Sequence, residues 1–232
     1  MWASGLFRRQ KSNPLFTDFQ TASTERDWHA ADGWHNGAPF LNAWDAKQAS
    51  ASPAGLRLTL CSGGDVANPH WRSGELRTND TFGYGRFEAR FRASAIPGTV
   101  TSLFVYTGRS EGDPHDEIDI EILGRDPNAL HCNYFRRGVE GTSRLLPLGF
   151  DTSTEMHTFA FEWRKRQIDW YADNRLVHSV SGNDVPSVPG KIMLNLWAVD
   201  DSASAWAGSL PNDADHADAL YEWVRFTPAG VK

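Results

Sequence analysis

Hydrophobic and polar residues alternate along most of this chain. In GRFEARFRA (85–93), Phe87, Ala89 and Phe91 fall on one face, and charged side chains fall on the other. HTFAFEW (157–163) and KIMLNLW (191–197) alternate in the same way. Alternation with a period of two is typical of β-strands that bury one face. The pattern therefore predicts strands in all three segments.

Turn signals separate these segments at short intervals. QIDWYADNRLVHSV (167–180) indicates two strands joined at Asp173 and Asn174, two residue types that tolerate the left-handed region. Long amphipathic helices are not expected, and at most a short helical turn is predicted near 151–157 or after Asp200. Many short strands with frequent turns favour an all-β, antiparallel sandwich.

Composition narrows the class of protein and of ligand. The chain has 232 residues, of which 40% are hydrophobic and 22% charged, which is typical of one large soluble all-β domain. A net charge of −6 argues against nucleic acid or an anionic membrane as partner. No apolar run approaches the roughly 20 residues of a membrane span. The ten Trp favour a carbohydrate ligand, because indole rings stack on sugar faces, although roughly half of them should be core.

Two features bear on the compartment. Cys61 and Cys132 lie in strand-like apolar stretches, and two buried thiols are expected rather than a disulfide. Neither a CxxC nor an HExxH motif is present. MWASGLFRRQKSNP (1–14) has no apolar segment typical of a secretory signal. Removal of a signal, export by another route and retention in the cell are all compatible with this.

The segment HDEIDIEILG (115–124) carries the candidate chemistry. Read as a strand, it sets Glu117, Asp119 and Glu121 on one face and three isoleucines on the other. Burying unpaired carboxylates costs several kcal/mol each, so we expect the acids to line a solvated surface or cleft. Crowding of like charges should raise at least one pKa. Two acids with different pKa values are what glycoside hydrolysis requires.

The spacing of the two glutamates permits this chemistry without establishing it. Positions i and i+4 of a strand are roughly 13 Å apart at Cα, whereas retaining glycosidases hold their carboxyl groups about 5–5.5 Å apart. Side chains that lean inward on a concave strand close that gap. Two alternatives stay open at this point: a solvated strand face, and a calcium-binding patch that includes Asp113 and Asp116.

The acidic segment resembles the active-site strand of family-16 glycoside hydrolases, and among them the bacterial lichenases, which are endo-β-1,3-1,4-glucanases. Further segments resemble lichenases in the same order: ADGWHNG (31–37), FGYGRFEARF (82–91), SLFVYTG (102–108), LGFD (148–151), WYADN (170–174), VPGKIMLNLW (188–197) and LYEWVRF (220–226). The resemblance runs from Leu15 to Thr227. It implies a concanavalin A-like β-jelly-roll sandwich with a substrate cleft on the concave sheet. Residues 1–14 are then an N-terminal extension, and 15–232 the catalytic domain.

The resemblance also implies the roles of individual residues. Glu117 would be the nucleophile, Glu121 the acid/base and Asp119 the residue that assists the nucleophile, with no cofactor for catalysis. Substrate-binding positions by resemblance are Asn36, Glu75, Arg77, Phe104, Tyr106, Asn133, Phe135, Asn195, Trp197 and Trp206. A structural calcium would be held by Asp18, Ala54 and Glu222, the last standing where the family has Asp.

Three positions depart from the lichenase pattern. His115 stands where lichenases usually have Trp, Phe135 where a Tyr hydroxyl is common, and Ala43 where one cysteine of a frequent disulfide is expected. Loss of a Tyr hydroxyl removes one hydrogen bond to sugar, worth about 1 kcal/mol. The first two departures lie on the substrate side, so they leave the linkage preference open while the catalytic acids are intact.

The expected function is therefore that of a retaining endo-β-glucanase that hydrolyses mixed-linkage β-1,3-1,4-glucan. Alternatives are the same chemistry on a bacterial exopolysaccharide such as succinoglycan, transglycosylation to a sugar acceptor, and a non-catalytic lectin on the same fold. A polysaccharide is the expected partner, with no nucleic acid and no membrane. By resemblance the protein is a secreted monomer.

Overall fold

Strands dominate the computed structural model, which describes residues 10–11, 13–21, 26–63 and 70–230. The strands are β1 (Gln10–Lys11), β2 (Leu15–Asp18), β3 (Trp28–Ala30), β4 (Asn42–Trp44), β5 (Ala49–Ser52), β6 (Gly55–Ser62), β7 (Trp71–Ser73), β8 (Glu75–Thr78), β9 (Thr81–Phe82), β10 (Gly85–Arg92), β11 (Thr99–Thr107), β12 (Asp116–Leu123), β13 (Ala129–Arg136), β14 (Val139–Glu140), β15 (Arg144–Pro147), β16 (His157–Arg164), β17 (Gln167–Ala172), β18 (Arg175–Ser181), β19 (Lys191–Ala198) and β20 (His216–Pro228). One short helix, α1 (Ser204–Ala207), and 3-10 turns at Ala46–Gln48, Arg109–Glu111 and Asp201–Ala203 complete the described elements. Most of the expected 1–14 extension lies outside the described residues.

Two large sheets stack into a sandwich. The front sheet has eight strands, ordered β14-β13-β12-β11-β19-β8-β3 with β15 beside β13. The back sheet has ten, ordered β18-β17-β16-β10-β20-β6-β7-β4, with β2 beside β20 and β5 beside β6. Pairing is antiparallel in these two sheets apart from β4 and β7, which run parallel. The prediction of an all-β jelly-roll sandwich is confirmed.

The core between the sheets determines which way β12 faces. Ile118, Ile120 and Ile122 are fully buried in the same apolar cluster as Phe87 and Phe161 of the back sheet, whose rings stack 4.7 Å apart. Burying each isoleucine contributes about 1.5–3 kcal/mol. A one-residue slip would exchange the two faces of β12 and expose all three, so its register is strongly specified. The carboxylates between them must therefore point away from the core.

Asp116 anchors the start of β12. Its buried carboxylate accepts backbone N–H groups from Arg137 at 2.8 Å, Ser187 at 2.7 Å and Val188 at 3.1 Å. The guanidinium of Arg136 adds a contact of 3.3 Å. These donors occupy the carboxylate of Asp116. It lies on the opposite face of β12 from Glu117, Asp119 and Glu121. The alternative of a calcium patch at Asp113 and Asp116 is therefore not supported.

The predictions for turns, short helices and cysteines are confirmed in part. Asp173 and Asn174 adopt φ of 47° and 63° between β17 and β18, which confirms the predicted turn. The helical turn after Asp200 is confirmed by the 3-10 turn and α1, whereas 151–157 forms hydrogen-bonded turns without a helix. Both cysteines are free, as expected. Cys61 is only partly buried, because β6 ends near it, so the prediction of two buried thiols is correct for Cys132 alone.

Candidate active site

A cleft of about 830 Å³ crosses the outer face of the front sheet. Glu117, Asp119 and Glu121 line it, together with every position that the resemblance assigned to substrate binding. The cleft is also lined by residues that sequence reasoning did not select: Trp34, Pro39, Phe40, Ser102, Ser110, Glu111, His131, Glu140, Ser143 and Met193. Strand alternation could have indicated His131 and Met193, whereas loop residues such as Trp34 carry no such signal.

Register explains why the polar groups converge. On one side of β12, Glu117, Asp119 and Glu121 pair with Tyr106, Phe104 and Ser102 of β11. On the other side they pair with Phe135, Asn133 and His131 of β13. Directly opposed residues of paired strands share a face. The cleft floor is consequently a grid of three carboxylates between two rows of aromatic and polar side chains.

Glu117 has a histidine as its direct neighbour. Nε2 of His115 lies 2.5 Å from Oε2 of Glu117, whose side chain is 17% exposed. Burial raises the pKa of Glu117, and the hydrogen bond from His115 opposes that rise. The same hydrogen bond to Glu117 raises the pKa of His115. Both effects are consistent with an imidazolium paired with a carboxylate.

Asp119 lies between the two glutamates and is almost fully buried. Burial first, and then the charges of Glu117 and Glu121, hold the pKa of Asp119 well above its usual range. Its side chain hydrogen-bonds Glu117, an arrangement that favours the proton on Asp119 and lowers the pKa of Glu117. In this arrangement Asp119 is the donor and Glu117 the acceptor when Asp119 carries the proton. Desolvation is thus a larger cause of the raised pKa of Asp119 than the crowding of like charges that the sequence predicts.

Glu121 has a separate partner. Nδ1 of His131 lies 2.9 Å from Oε2 of Glu121, and Nε2 of the same ring lies 3.0 Å from Oγ of Ser143. His131 is buried, so this contact is shielded from water. The two glutamates of β12 thus have different surroundings: Glu117 is contacted by His115 and Asp119, and Glu121 by His131.

Aromatic side chains form one end of the cleft. Trp197 stacks on Phe40 at 4.2 Å and lies 5.8 Å from Trp206. It lines the cleft but is only 6% exposed, and it belongs to a second apolar cluster with Trp44. Trp34 is 41% exposed, with the guanidinium of Arg77 5.2 Å from its ring centre. Of Trp34 and Trp197, Trp34 therefore presents the more accessible ring to the cleft.

A polar network supports the neighbouring wall. Glu75 is 3% exposed, contacts the guanidinium of Arg77, and accepts from Nδ2 of Asn195 at 3.2 Å. Arg77 and Asn195 flank it on β8 and β19, which are paired strands. Such fixed polar groups beside aromatic platforms are typical of sites that bind sugar hydroxyls.

The expected calcium ligands lie on or beside the back sheet, where both carboxylates have protein partners, and a structural calcium is not confirmed. The carboxylate of Asp18 accepts from the backbone N–H of Gln20 at 2.9 Å and from Oγ1 of Thr21 at 3.1 Å. Glu222 is paired with Arg90, Nε to Oε2 at 2.8 Å. A guanidinium at this distance repels a divalent cation. Within the described part of the chain, no group of three or more His, Cys, Asp or Glu residues is arranged to hold a metal.

Comparison with known proteins gives the family. The sequence model described as glycosyl hydrolases family 16 matches residues 36–223. The chain is 40% identical over 222 residues to a beta-glucanase of Brevibacillus brevis, covering 95% of this chain and 84% of the relative. The chain belongs to glycosyl hydrolase family 16.

Solved structures agree with this family-16 assignment. A beta-1,3-1,4-glucanase (lichenase) derived from a mouse hindgut metagenome superposes with a TM-score of 0.88 at 33% identity, covering 93% of this chain and 99% of that one. The beta-glucanase of Bacillus licheniformis superposes with a TM-score of 0.86 at 37% identity, covering 94% and 99%. The resemblance to family 16, and to lichenases within it, is confirmed, and the chain is a glycoside hydrolase.

Two further expectations concern cofactors and membranes. Glycosidases of family 16 need no cofactor for catalysis, and the carboxylates described above supply groups of the kind the reaction needs. None of the helices in the described residues combines the length and apolar character needed to span a membrane.

Trp34 and Trp197, which both line the cleft, should respond differently to truncation. We expect Trp34→Ala to raise KM, because an exposed stacking surface is lost, with a change in unfolding free energy within about 0.5 kcal/mol. Trp197→Ala should lower the free energy of unfolding by about 3–5 kcal/mol, because a large buried ring is removed. Urea unfolding and Michaelis–Menten kinetics on a soluble β-glucan measure both. A stable Trp197→Ala protein with raised KM would make Trp197 the platform instead.

Proposed function

We propose that this chain is a retaining endo-β-glucanase that hydrolyses mixed-linkage β-1,3-1,4-glucan, with Glu117 as nucleophile and Glu121 as acid/base. The observation that carries the proposal is the pair of glutamates on the cleft face of one strand, each with its own partner. Glu117 accepts from two neighbours, an environment suited to an ionised nucleophile. Glu121 lies two positions beyond Asp119 on the same face, across from His131.

The first half-reaction forms a covalent intermediate. Glu121 gives its proton to the glycosidic oxygen as the bond to the anomeric carbon breaks. Glu117 attacks that carbon from the opposite side and forms an α-linked glycosyl ester. Asp119 donates its hydrogen bond to Glu117 in the free enzyme. Its proton is favoured first by burial and then by the charge of Glu117, so Asp119 can orient Glu117 without placing a second charge beside it.

The second half-reaction releases the sugar. Glu121, now ionised, takes a proton from water, and the water oxygen attacks the anomeric carbon. The carboxylate of Glu117 leaves, and the product has the β configuration of the substrate. Neither half-reaction requires an atom from a cofactor.

The shape of the cleft supports internal cleavage of a polymer. It extends across the front sheet from Trp34 near β3 to Glu140 in β14, so several sugar units can bind on both sides of the carboxylates. The names of the relatives support the substrate class: a beta-glucanase from Brevibacillus brevis and a beta-1,3-1,4-glucanase among the solved structures. We further propose that residues 15–232 form the catalytic domain after an extension at 1–14, and that the protein acts as a secreted monomer.

A panel of polysaccharides tests the function. Lichenan and barley β-glucan should be cut to short oligosaccharides, with little release from cellulose, and Glu117→Ala should release none. Laminarin, agarose and succinoglycan complete the panel, and chromatography with mass spectrometry identifies the products. If laminarin, agarose or succinoglycan is degraded while lichenan is untouched, the assignment of β-1,3-1,4-glucan as the substrate is wrong. Products longer than the supplied chains would instead identify a transglycosylase.

Azide tests the roles of the two glutamates. It is a small nucleophile that needs no general base, so it can replace the missing function in either variant. Glu117→Ala, given an activated β-glycoside, should yield the α-glycosyl azide, because azide attacks from the vacated side. Glu121→Ala should yield the β-glycosyl azide, because azide attacks the covalent intermediate.

Proton NMR of the azide product distinguishes the two anomers. The matched control is Asp119→Asn, which should slow hydrolysis while the product keeps the β configuration. Exchanged anomers would reverse the assignment of the two glutamates. Near-native rates in both Glu variants would remove β12 from the reaction.

A further inference from the structure

His115 is held in one orientation beside the candidate nucleophile. Its ring stacks on Phe135, with centroids 4.9 Å apart and an angle of 20° between the planes, and lies 5.3 Å from Tyr106. Its carbonyl accepts from the backbone N–H of Gly138 at 2.7 Å. The side chain is 33% exposed, and Nε2 points at Oε2 of Glu117, 2.5 Å away. The imidazole is thus fixed between two rings and one carboxylate.

The groups around this pair are mostly acidic. From its own strand Glu117 faces Asp119 and Glu121, and Asp116 lies next to His115. Tyr106 faces it from β11, and Phe135, which does not titrate, from β13. Further off, the charge of Arg77 on β8 acts on Tyr106, and that of Glu140 on β14 acts on Asp119. His115 therefore supplies the direct cationic contact to Glu117.

We propose that His115 is a positioning residue for Glu117: its imidazolium donates Nε2–H to one carboxylate oxygen, fixes the rotation of the carboxylate and keeps it ionised for attack. The inference deepens the proposed function and rests on it, since it requires Glu117 to be the nucleophile. It concerns a position at which this chain differs from the lichenase pattern, with His where a Trp is usual.

The contact between His115 and Glu117 should affect how kcat/KM depends on pH. Burial raises the pKa of Glu117, and His115 is the largest influence that lowers it. A nucleophile acts only when ionised, so the acidic limb of kcat/KM reports the ionisation of Glu117 with its coupled neighbours. Because Glu117 raises the pKa of His115, the imidazolium persists across that limb. Removing the imidazolium should move the acidic limb to higher pH.

Two substitutions separate charge from hydrogen bonding. His115→Phe keeps an aromatic ring to stack on Phe135 but has no donor. His115→Gln keeps an N–H donor at the position of Nε2 without a charge. In both, kcat/KM on the acidic limb should fall severalfold beyond any loss at pH 7, because the acidic limb moves to higher pH. At pH 7 His115→Gln should keep more of the native kcat than His115→Phe.

His216→Gln is the matched control, because His216 is exposed on β20 of the back sheet. Its pH profile should equal the native one. If His115→Phe fails to fold, His115→Gln carries the same readout on the acidic limb. Native acidic limbs in the folded His115 variants would overturn the proposal.

NMR gives a readout that does not depend on activity. The imidazole signal of His115 is assigned by its loss in His115→Gln and titrated in the native protein and in Glu117→Gln. Without the carboxylate, its midpoint should move to lower pH, since ionisations of paired groups are reciprocally linked. An unchanged midpoint would overturn the proposal.

The proposed function can fail separately. Activity of Glu117→Ala on lichenan would refute the role of Glu117 itself, and with it this inference. An inactive Glu117→Ala together with a native acidic limb in the His115 variants would refute only the role of His115.

Discussion

Three carboxylates lie within five consecutive residues of β12, and their side chains are largely buried at the floor of the cleft. Unpaired, each buried charge would cost several kcal/mol. Each of the three carboxylates is stabilised by its own neighbours. His115 contacts Glu117, His131 contacts Glu121, and Asp119 is favoured in its protonated form between them. The three acids of β12 thereby have distinct surroundings.

The sandwich holds these acids in register. The isoleucines of β12 are locked into the core, and the indole N–H of Trp170 on the back sheet donates to the carbonyl of Asp119 at 2.9 Å. The hydroxyl of Tyr221 donates to the carbonyl of Ser102 at 2.8 Å, beneath the strand beside it. Hydrogen bonds between the sheets thus reach the backbone under the site. A rigid support of this kind lets small differences in side-chain environment determine protonation.

Much of the front sheet was predictable because alternation determines faces. It separates Glu117 from Ile118, and it would also place His131 on the same face of β13 as Asn133. It could not show that His131 lies opposite Glu121, because pairing register depends on contacts between strands. Nor could it show that Trp197 is enclosed by Phe40, which comes from a distant loop. Alternation does not report how deeply a cleft-facing residue is buried.

The positions that resemble the family's calcium ligands have side-chain partners that the sequence did not indicate. Asp18 and Glu222 match the family's positions, yet the partner of Glu222 is Arg90, 132 residues earlier in the chain. One basic side chain changes what an acidic position can hold, and only the folded pairing of β10 with β20 brings the two together. His115 is a similar case: a substitution in one position gives Glu117 a charged partner.

Trapping of the covalent intermediate tests the central claim most directly. A 2-deoxy-2-fluoro β-glucosyl oligosaccharide with a good leaving group slows release of the sugar, so that the glycosyl ester accumulates on the nucleophile of a retaining enzyme. Proteolysis and tandem mass spectrometry then locate the added mass. We predict a single label within residues 115–124, on Glu117. A label on Glu121 would contradict it, as would the absence of any label from an enzyme that turns over substrate with inversion of configuration.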